Sequence, residues 1–426
     1  MNLLFMHPNI PGQYKHICRE FAKDPRNTVV FMGKPNAVSI PGVHKIEYTV
    51  SNEPSGSTHH YIVGAERAIH QGQKVWRECK ALRASGFIPD VICAHPGWGD
   101  ALYVKDVYPE VPLLSFFEFY YRSTGADVDF DPEFPGEADE ALRVRTKNII
   151  NILSLESADW GVSPTHWQYS QNPIEFQHKI SVLHDGIDVG RAKPNPNAEI
   201  RLGSGLVFRP GDKLVTYVAR NLEPYRGFPA FMRAAEIILS EDPDVHIIVV
   251  GSDGVSYGRR LPKGQCWRHI MLEELKMKPE LLSRLHFTGQ LPYPQLIKLF
   301  QVSAAHVYLT YPFVLSWSLL EAMACGCAVV GSDTQPLHEA IVHNQNGCLV
   351  DFFSPDDIAR STLALLNDRE RAQSLGKKAR KSVVDNYALE KLLPMHMQLI
   401  RNVADGLQRK STTNDSDHAE LLVAAQ

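Results

Sequence analysis

Short, continuous apolar runs, each followed by a helical pattern, recur along this chain and constrain its fold more than any other feature. The first run, residues 3–6, stops at His7-Pro8 and leads through Ile10-Pro11-Gly12-Gln13 into a helical pattern over 14–22. Runs at 28–32, 90–94, 113–117 and 160–162 follow, with helical patterns over 62–84 and 139–156 between them. Strands that are apolar at every position need cover on both faces, which predicts a parallel sheet between two helix layers. Residues 186–212 break the rhythm with Lys193-Pro194-Asn195-Pro196-Asn197 and no sustained periodicity, the mark of a linker. Strand-like runs then restart at 214–217, 246–250 (ending at Gly251), 285–287, 305–309 and 327–331, with a helix over 228–239. The reading is two doubly wound α/β domains, residues 1–190 and 206–385, facing a cleft. An amphipathic helix over 386–409 is expected to cross back to the N-terminal domain, and a polar tail over 410–426 to be disordered.

Composition narrows the partners. Hydrophobic residues make up 44% of the 426 and charged residues 22%, which suits a core-forming chain. A net charge of -4 gives no bulk attraction for nucleic acid. Seven scattered cysteines, without a C-x-x-C pair, suggest reduced buried thiols rather than a disulfide framework. The N-terminus lacks a basic region, and no apolar stretch is long enough to span a bilayer. A cytoplasmic protein is expected, with peripheral contact at the inner membrane face left open.

Chemistry concentrates in two segments of the second half. In Ala219-Arg220-Asn221-Leu222-Glu223-Pro224-Tyr225-Arg226-Gly227-Phe228, Arg220 lies just past a strand's carboxyl end and Arg226 at the start of the next helix. That edge of an open α/β sheet binds ligands, and two guanidiniums near a helix N-terminus suit a diphosphate. Residues 308–330 run from a strand through a loop into a helix carrying Glu321, a carboxylate able to accept both hydroxyls of a ribose. Two solvated arginines and a helix-capping glutamate are the alternative. In the first half, His95 and Glu118 each follow a strand and are candidates for acceptor or sugar contacts facing the cleft.

Glu321-Ala-Met-Ala-Cys-Gly-Cys-Ala-Val-Val, with Arg220 and Arg226 upstream, resembles the donor-site signature of glycosyltransferase family 4, retaining enzymes of the two-domain, Rossmann-like GT-B fold. Val182-Leu183-His184-Asp185-Gly186-Ile187-Asp188, Leu285-His286-Phe287-Thr288-Gly289-Gln290-Leu291 and Asn346-Gly347-Cys348-Leu349-Val350 resemble further family segments in the same order. The likeness covers most of 206–385 and thins across the N-terminal half. It implies a metal-independent, hexosyltransferase-like enzyme without a resident cofactor, of the kind used in polysaccharide biosynthesis. A UDP- or GDP-linked sugar would be its co-substrate, and a glycan, lipid-linked or small-molecule hydroxyl its acceptor. Arg220 and Arg226 (the latter where the family has Lys) would hold the diphosphate, and Glu321 the ribose. Thr288, Gln290 and Leu291 would flank the base. Gly12 would allow close approach to phosphate or sugar, with Gly251, Leu315, Ser316 and Trp317 completing the donor site. The departing phosphate would help deprotonate the acceptor.

One departure stands out: Phe313 occupies the place of a family glutamate, and Val314 and Ser316 replace glycines of that loop. The sugar then lacks a hydroxyl there, or the backbone near 315–317 replaces the acceptor, or Phe313 turns into the core.

Rival readings remain. Asp127-Val-Asp129-Phe-Asp131 contains D-x-D patterns that hold a divalent ion in other glycosyltransferases, but no strand precedes them, and a solvated acidic loop is the expectation. An NAD-dependent oxidoreductase would want G-x-G-x-x-G after a first strand, where this chain has Pro8-Asn9-Ile10-Pro11-Gly12. A non-catalytic nucleotide- or sugar-binding protein would need no paired arginines and ribose carboxylate at a cleft. Basic residues over 67–83 suit either a solvated helix face or anionic lipid.

Overall fold

The structure, a computed structural model, describes residues 1–406. The expected tail at 410–426 and the last residues of the 386–409 helix lie outside the described residues.

The N-terminal sheet contains β1 (Asn2–Met6), β2 (Thr28–Gly33), β3 (Val43–Glu47), β4 (Val91–Ala94), β5 (Leu113–Phe116), β6 (Trp160–Ser163) and β7 (Ile180–Val182). All seven run parallel in the order β3-β2-β1-β4-β5-β6-β7. Leu3 and Phe5 of β1 pack to one side with helix Lys15–Phe21, and Leu4 and Met6 to the other with helix Val63–Ala84. Two-sided burial explains why these strands read as continuous apolar runs. Strand β3 escapes that pattern because Val-His-Lys-Ile-Glu is a half-exposed edge strand.

The single helix expected over 139–156 is two, Glu140–Lys147 and Ile149–Ser157. Asn148 separates them. Its side chain accepts from the Tyr121 amide at 3.1 Å and donates to the Tyr121 carbonyl at 2.7 Å, tying the turn to another segment.

The expected linker holds a small hairpin, β8 (Ile200–Arg201) and β9 (Val207–Phe208). The second sheet contains β10 (Leu214–Asn221), β11 (His246–Ser252), β12 (Leu285–Gly289), β13 (Ala305–Tyr308), β14 (Val329–Ser332) and β15 (Cys348–Val350). They run parallel in the order β12-β11-β10-β13-β14-β15. Both sheets therefore reverse strand order beside their first strand, which opens a crevice at the carboxyl ends of β1/β4 and of β10/β13.

Helix Leu389–Ala404 leaves the second domain and packs on the first. Leu392, Ile400 and Val403 join the core around Leu3, Phe5 and Phe21, and His396 Nε2 donates to the His184 carbonyl at 3.0 Å. Ile187 and Ala388 pair as a parallel bridge, so the outward and returning chains cross side by side. All seven cysteines are free and buried. Among the described residues, no helix is long and apolar enough to cross a membrane.

Ile400 is 1% exposed within the N-terminal core. Ile400→Ala should remove about 2–4 kcal/mol from the stability of that domain, read as a lower urea midpoint. An unchanged midpoint would mean that the returning helix does not dock.

Candidate functional site

The loops after β1 and β4 bring His7 and His95 together, with ring centroids 5.3 Å apart. Each ring takes a local amide on Nδ1, Asn9 N at 2.9 Å for His7 and Gly97 N at 3.1 Å for His95, which makes Nδ1 the acceptor and leaves Nε2 as the donor nitrogen. Burial, aided by His95, pushes His7 down to about 3. Gly12 has φ 51°, and a Cβ there would stand 2.6 Å from the His7 ring. Its glycine is thus required by His7, whatever else the loop binds. Next to the pair, His95 Nε2 lies 3.6 Å from Glu118 Oε2, and Gln13 Nε2 lies 3.5 Å from Oε1. Burial pushes the Glu118 carboxyl up, but His95 beside it and Arg220 across the cleft hold it below the ordinary carboxylate range.

Arg220 lies within β10 rather than past its end, where the register shifts between Val218 and Asn221. It is exposed there, and its charge acts on Glu118 of the other domain. Arg226 ends a short 3-10 turn, Pro224–Arg226, ahead of helix Phe228–Glu241, and is buried. Its Nη1 donates to Thr310 Oγ1 at 2.8 Å, Tyr308 Oη at 3.0 Å and the Val314 carbonyl at 3.1 Å. The guanidinium carbon lies 5.5 Å from the Tyr257 ring centroid and 5.9 Å from that of Phe313. Arg226 thus braces the loop after β13, while Arg220 is the arginine presented to the cleft. Glu223 supports this corner, its carboxylate accepting from the amides of Ser256, Tyr257 and Gly258 at 3.0, 3.2 and 3.0 Å.

Beyond β13, Leu315 is buried, and Ser316 caps helix Trp317–Ala324 through Oγ and the Ser318 amide. Trp317 Nε1 donates 2.8 Å to Asp185 Oδ2 in the crossing segment. Glu321 is buried in the same helix, and burial pushes its carboxyl up to about 7 against the pull of Tyr293 and of Lys15 from the other domain. Gly251 packs its backbone against Leu222 and Ala219. Gln290 is exposed, whereas Thr288 and Leu291 line a cavity of about 700 Å³ beside residues 199–204. Neither Arg220 nor Glu321 lines that cavity. The site thus divides into a cleft group (His95, Glu118 and Arg220), a buried brace (Arg226) and a separate surface carrying Thr288 and Leu291.

The acidic segment is not a solvated loop. Asp127 and Asp131 are buried, and they accept from Tyr225 and Tyr311 of the second domain at 2.8 and 2.9 Å. Glu133 forms a two-pronged pair with Arg233 at 2.6 and 2.8 Å. Residues 127–137 therefore strap one domain onto the other, and two of the carboxylates that could have held an ion are committed to tyrosines. Among the described residues, no group of three or more His, Cys, Asp or Glu gathers that could hold a metal. Phe313 takes the third course foreseen for it and turns into the core. Its ring packs at 4.6 Å from Phe119 of the first domain and at 4.8 Å from Tyr257. His7, Lys15, Glu223, Tyr257 and Tyr293 were missed. For His7 the signal was available, since it directly follows β1 at the sheet's switch point.

Residues 25–192 match the family described as Glycosyl transferase family 4 group, and residues 205–382 that described as Glycosyl transferases group 1. The D-inositol 3-phosphate glycosyltransferase of Corynebacterium glutamicum is 30% identical over 246 residues, 56% of this chain and 55% of that protein. The enzyme of the same description from Thermobispora bispora is 26% identical over 207 residues, 47% of this chain and 46% of that protein. The matches thus span about half the length of these curated relatives. The sucrose-phosphate synthase of Thermosynechococcus elongatus superposes with a TM-score of 0.69 at 16% identity, covering 95% of this chain and 99% of that one. Anabaena HepE in complex with UDP-glucose gives 0.65 at 15% identity, with 94% and 100% covered. At these identities the structural likeness shows the fold alone.

Tyr311→Phe would strip Asp131 of its interdomain donor and leave a buried carboxylate oxygen unpaired, a loss of about 1–3 kcal/mol. The strap should then open more often, read as faster hydrogen exchange across 127–137. Exchange equal to that of the natural protein would show that the hydroxyl does not hold the strap.

Proposed function

Since the chain belongs to the GT4-type glycosyltransferases of the GT-B fold, we propose that it moves a sugar from a nucleotide-diphosphate sugar to an acceptor hydroxyl, with retention and without a metal ion. The observation that carries this reading is the grouping of His95 and Glu118, 3.6 Å apart at the carboxyl ends of the first sheet, with the charge of Arg220, at the carboxyl end of β10, acting on Glu118 from the other domain. Arg220 and the capped N-terminus of helix Trp317–Ala324 supply positive potential for a diphosphate. Glu321 accepts the ribose hydroxyls, and Arg226 keeps the loop over residues 308–316 in shape behind them. His95 and Glu118 contact the sugar or the incoming hydroxyl.

In the reaction, the bond between the anomeric carbon and the diphosphate oxygen breaks as the acceptor oxygen bonds to the same face of that carbon. The acceptor's proton passes to the departing phosphate oxygen, so no protein nucleophile is needed. Arg220 stabilises the leaving charge. The base is proposed as uridine first, because HepE was solved with UDP-glucose, with guanosine as the alternative.

Two measurements test the reading. An ionised carboxylate accepts two ribose hydroxyls far better than a protonated one, so binding should lower the Glu321 pKa from its free value of about 7. Affinity is then full above that pH and lost below it, falling about tenfold for UDP-glucose from pH 8 to pH 6. Glu321→Gln should weaken binding and flatten the profile. A natural profile already flat, or a slope surviving in the variant, takes Glu321 off the ribose. Activity should also persist in EDTA. Its loss, with recovery on manganese, would return Asp127 and Asp129 to an ion site.

A further inference from the structure

Beneath the strap lies a cavity of about 760 Å³ that the reaction scheme above does not use. Its walls come from both domains and include Tyr121, Tyr225, Tyr257, Tyr311 and Trp267. Asp127 lines it too, 3% exposed, with Oδ2 taken by Tyr225 and Oδ1 buried without a partner. We propose that this cavity is the acceptor subsite and takes a neutral saccharide ring, laid on the tyrosines with a hydroxyl donating to Asp127 Oδ1. The proposal rests on the glycosyltransferase reading and names the class of its acceptor.

Three features carry it. A pyranose offers an apolar C–H face and a rim of hydroxyls, which matches aromatic walls around a carboxylate, and the volume is that of a small-molecule site. The orphaned oxygen needs a donor, because a buried carboxylate lacking one is costly. Its other oxygen is fixed by Tyr225, and Oδ1 is closed to solvent, so the cavity wall before it shifts as a ligand hydroxyl reaches it. The rest of the lining is prepared in advance: Glu223 clamps the backbone of Tyr257, and Asp131 holds the Tyr311 hydroxyl.

The cavity adjoins the donor side without including His95, Glu118, Arg220 or Glu321, so the ring it seats is one removed from the hydroxyl that reacts. Tyr257 lines the cavity and packs on Phe313 at 4.8 Å and on Arg226 at 5.5 Å, so the cavity shares a wall with the loop that shapes the donor side. The lining is acid-rich, since Asp127, Asp129, Asp131, Glu137, Asp139 and Glu140 stand against Arg143, Lys147, Arg259 and Arg260, and that excess of negative charge disfavours an anionic acceptor. Arginines at the rim pair with some of these acids, as Arg259 does with Glu137 at 2.8 Å.

The test is saturation-transfer NMR on the full chain with maltose, methyl α-D-glucopyranoside and glucose 6-phosphate, with and without saturating UDP. The expected result is binding of a neutral saccharide that persists with UDP bound. Asp127→Asn should weaken it at least tenfold while UDP affinity stays within twofold. Trp267→Leu serves as the second variant if Asp127→Asn does not fold, with the same expected loss. The proposal is overturned if no neutral probe binds, if UDP displaces it, if glucose 6-phosphate alone binds, or if both variants bind as well as the natural protein. A chain that binds saccharide but not UDP would sink the donor reading, and one that binds UDP but no saccharide would sink this subsite alone.

Discussion

In a parallel sheet whose strand order reverses at its first strand, the loops beyond β1 and β4, or β10 and β13, leave in opposite directions and cannot cover the gap between them. Backbone amides and side chains at the carboxyl ends stay accessible there. His7 and His95 follow β1 and β4 at one such gap, Glu118 follows the neighbouring β5, and Arg220 lies at the carboxyl end of β10 at the other. The residues between strands only tune what the topology has already gathered. The charge of Arg220, from the second sheet, acts on Glu118, from the first, so the carboxyl ends of the two sheets work on one group.

Holding the gaps in register takes more than one linker. The chain crosses at Gly186–Asp188 and returns at Ala388, paired there through Ile187, and the helix that follows fills the first domain's core. The far side is held by the strap and by Glu339, whose carboxylate caps the helix His166–Gln171 of the other domain at 2.5 and 2.9 Å. Beside the Glu133–Arg233 ion pair, the contacts of Asp127, Asp131 and Glu339 each combine a carboxylate with a neutral donor. Salt weakens such contacts little, since hydrogen bonding to a partly buried carboxylate is short-ranged.

What the sequence disclosed follows from this division. Strands buried on both faces announce themselves as apolar runs, so the two sheets, their order along the chain and the residues directly after each strand were legible. His95 and Glu118 could be found because position after a strand is itself a signal, whereas Arg220, expected past the strand's end, lies within β10. The strap could not be found that way. An acidic, proline-flanked stretch reads as solvated, and the tyrosines that bury Asp127 and Asp131 stand 98 and 180 residues further on. Arg226 shows the same limit: the Tyr308 and Thr310 hydroxyls that take up its Nη1 belong to another strand and its loop, which sequence spacing does not place beside it. Pair spacing reports what is near in the chain, and burial depends on what is near in space.

Phe313 is where these arguments converge. Its ring lies in a layer with Phe119, Tyr225 and Tyr257, and Phe119 belongs to the first domain. A glutamate at that position would bury a second carboxylate close to Tyr225, whose hydroxyl already serves Asp127, and would remove the aromatic contact between the domains. The aromatic residue is therefore demanded by the docking of the domains, and its presence carries no information about a missing hydroxyl on the donor sugar. The same layer backs Arg226, which shapes the loop leading to Ser316 and Glu321. Closing the domains and shaping the donor loop are in this way one packing event: Phe119 cannot leave Phe313 without loosening the support of the arginine behind it.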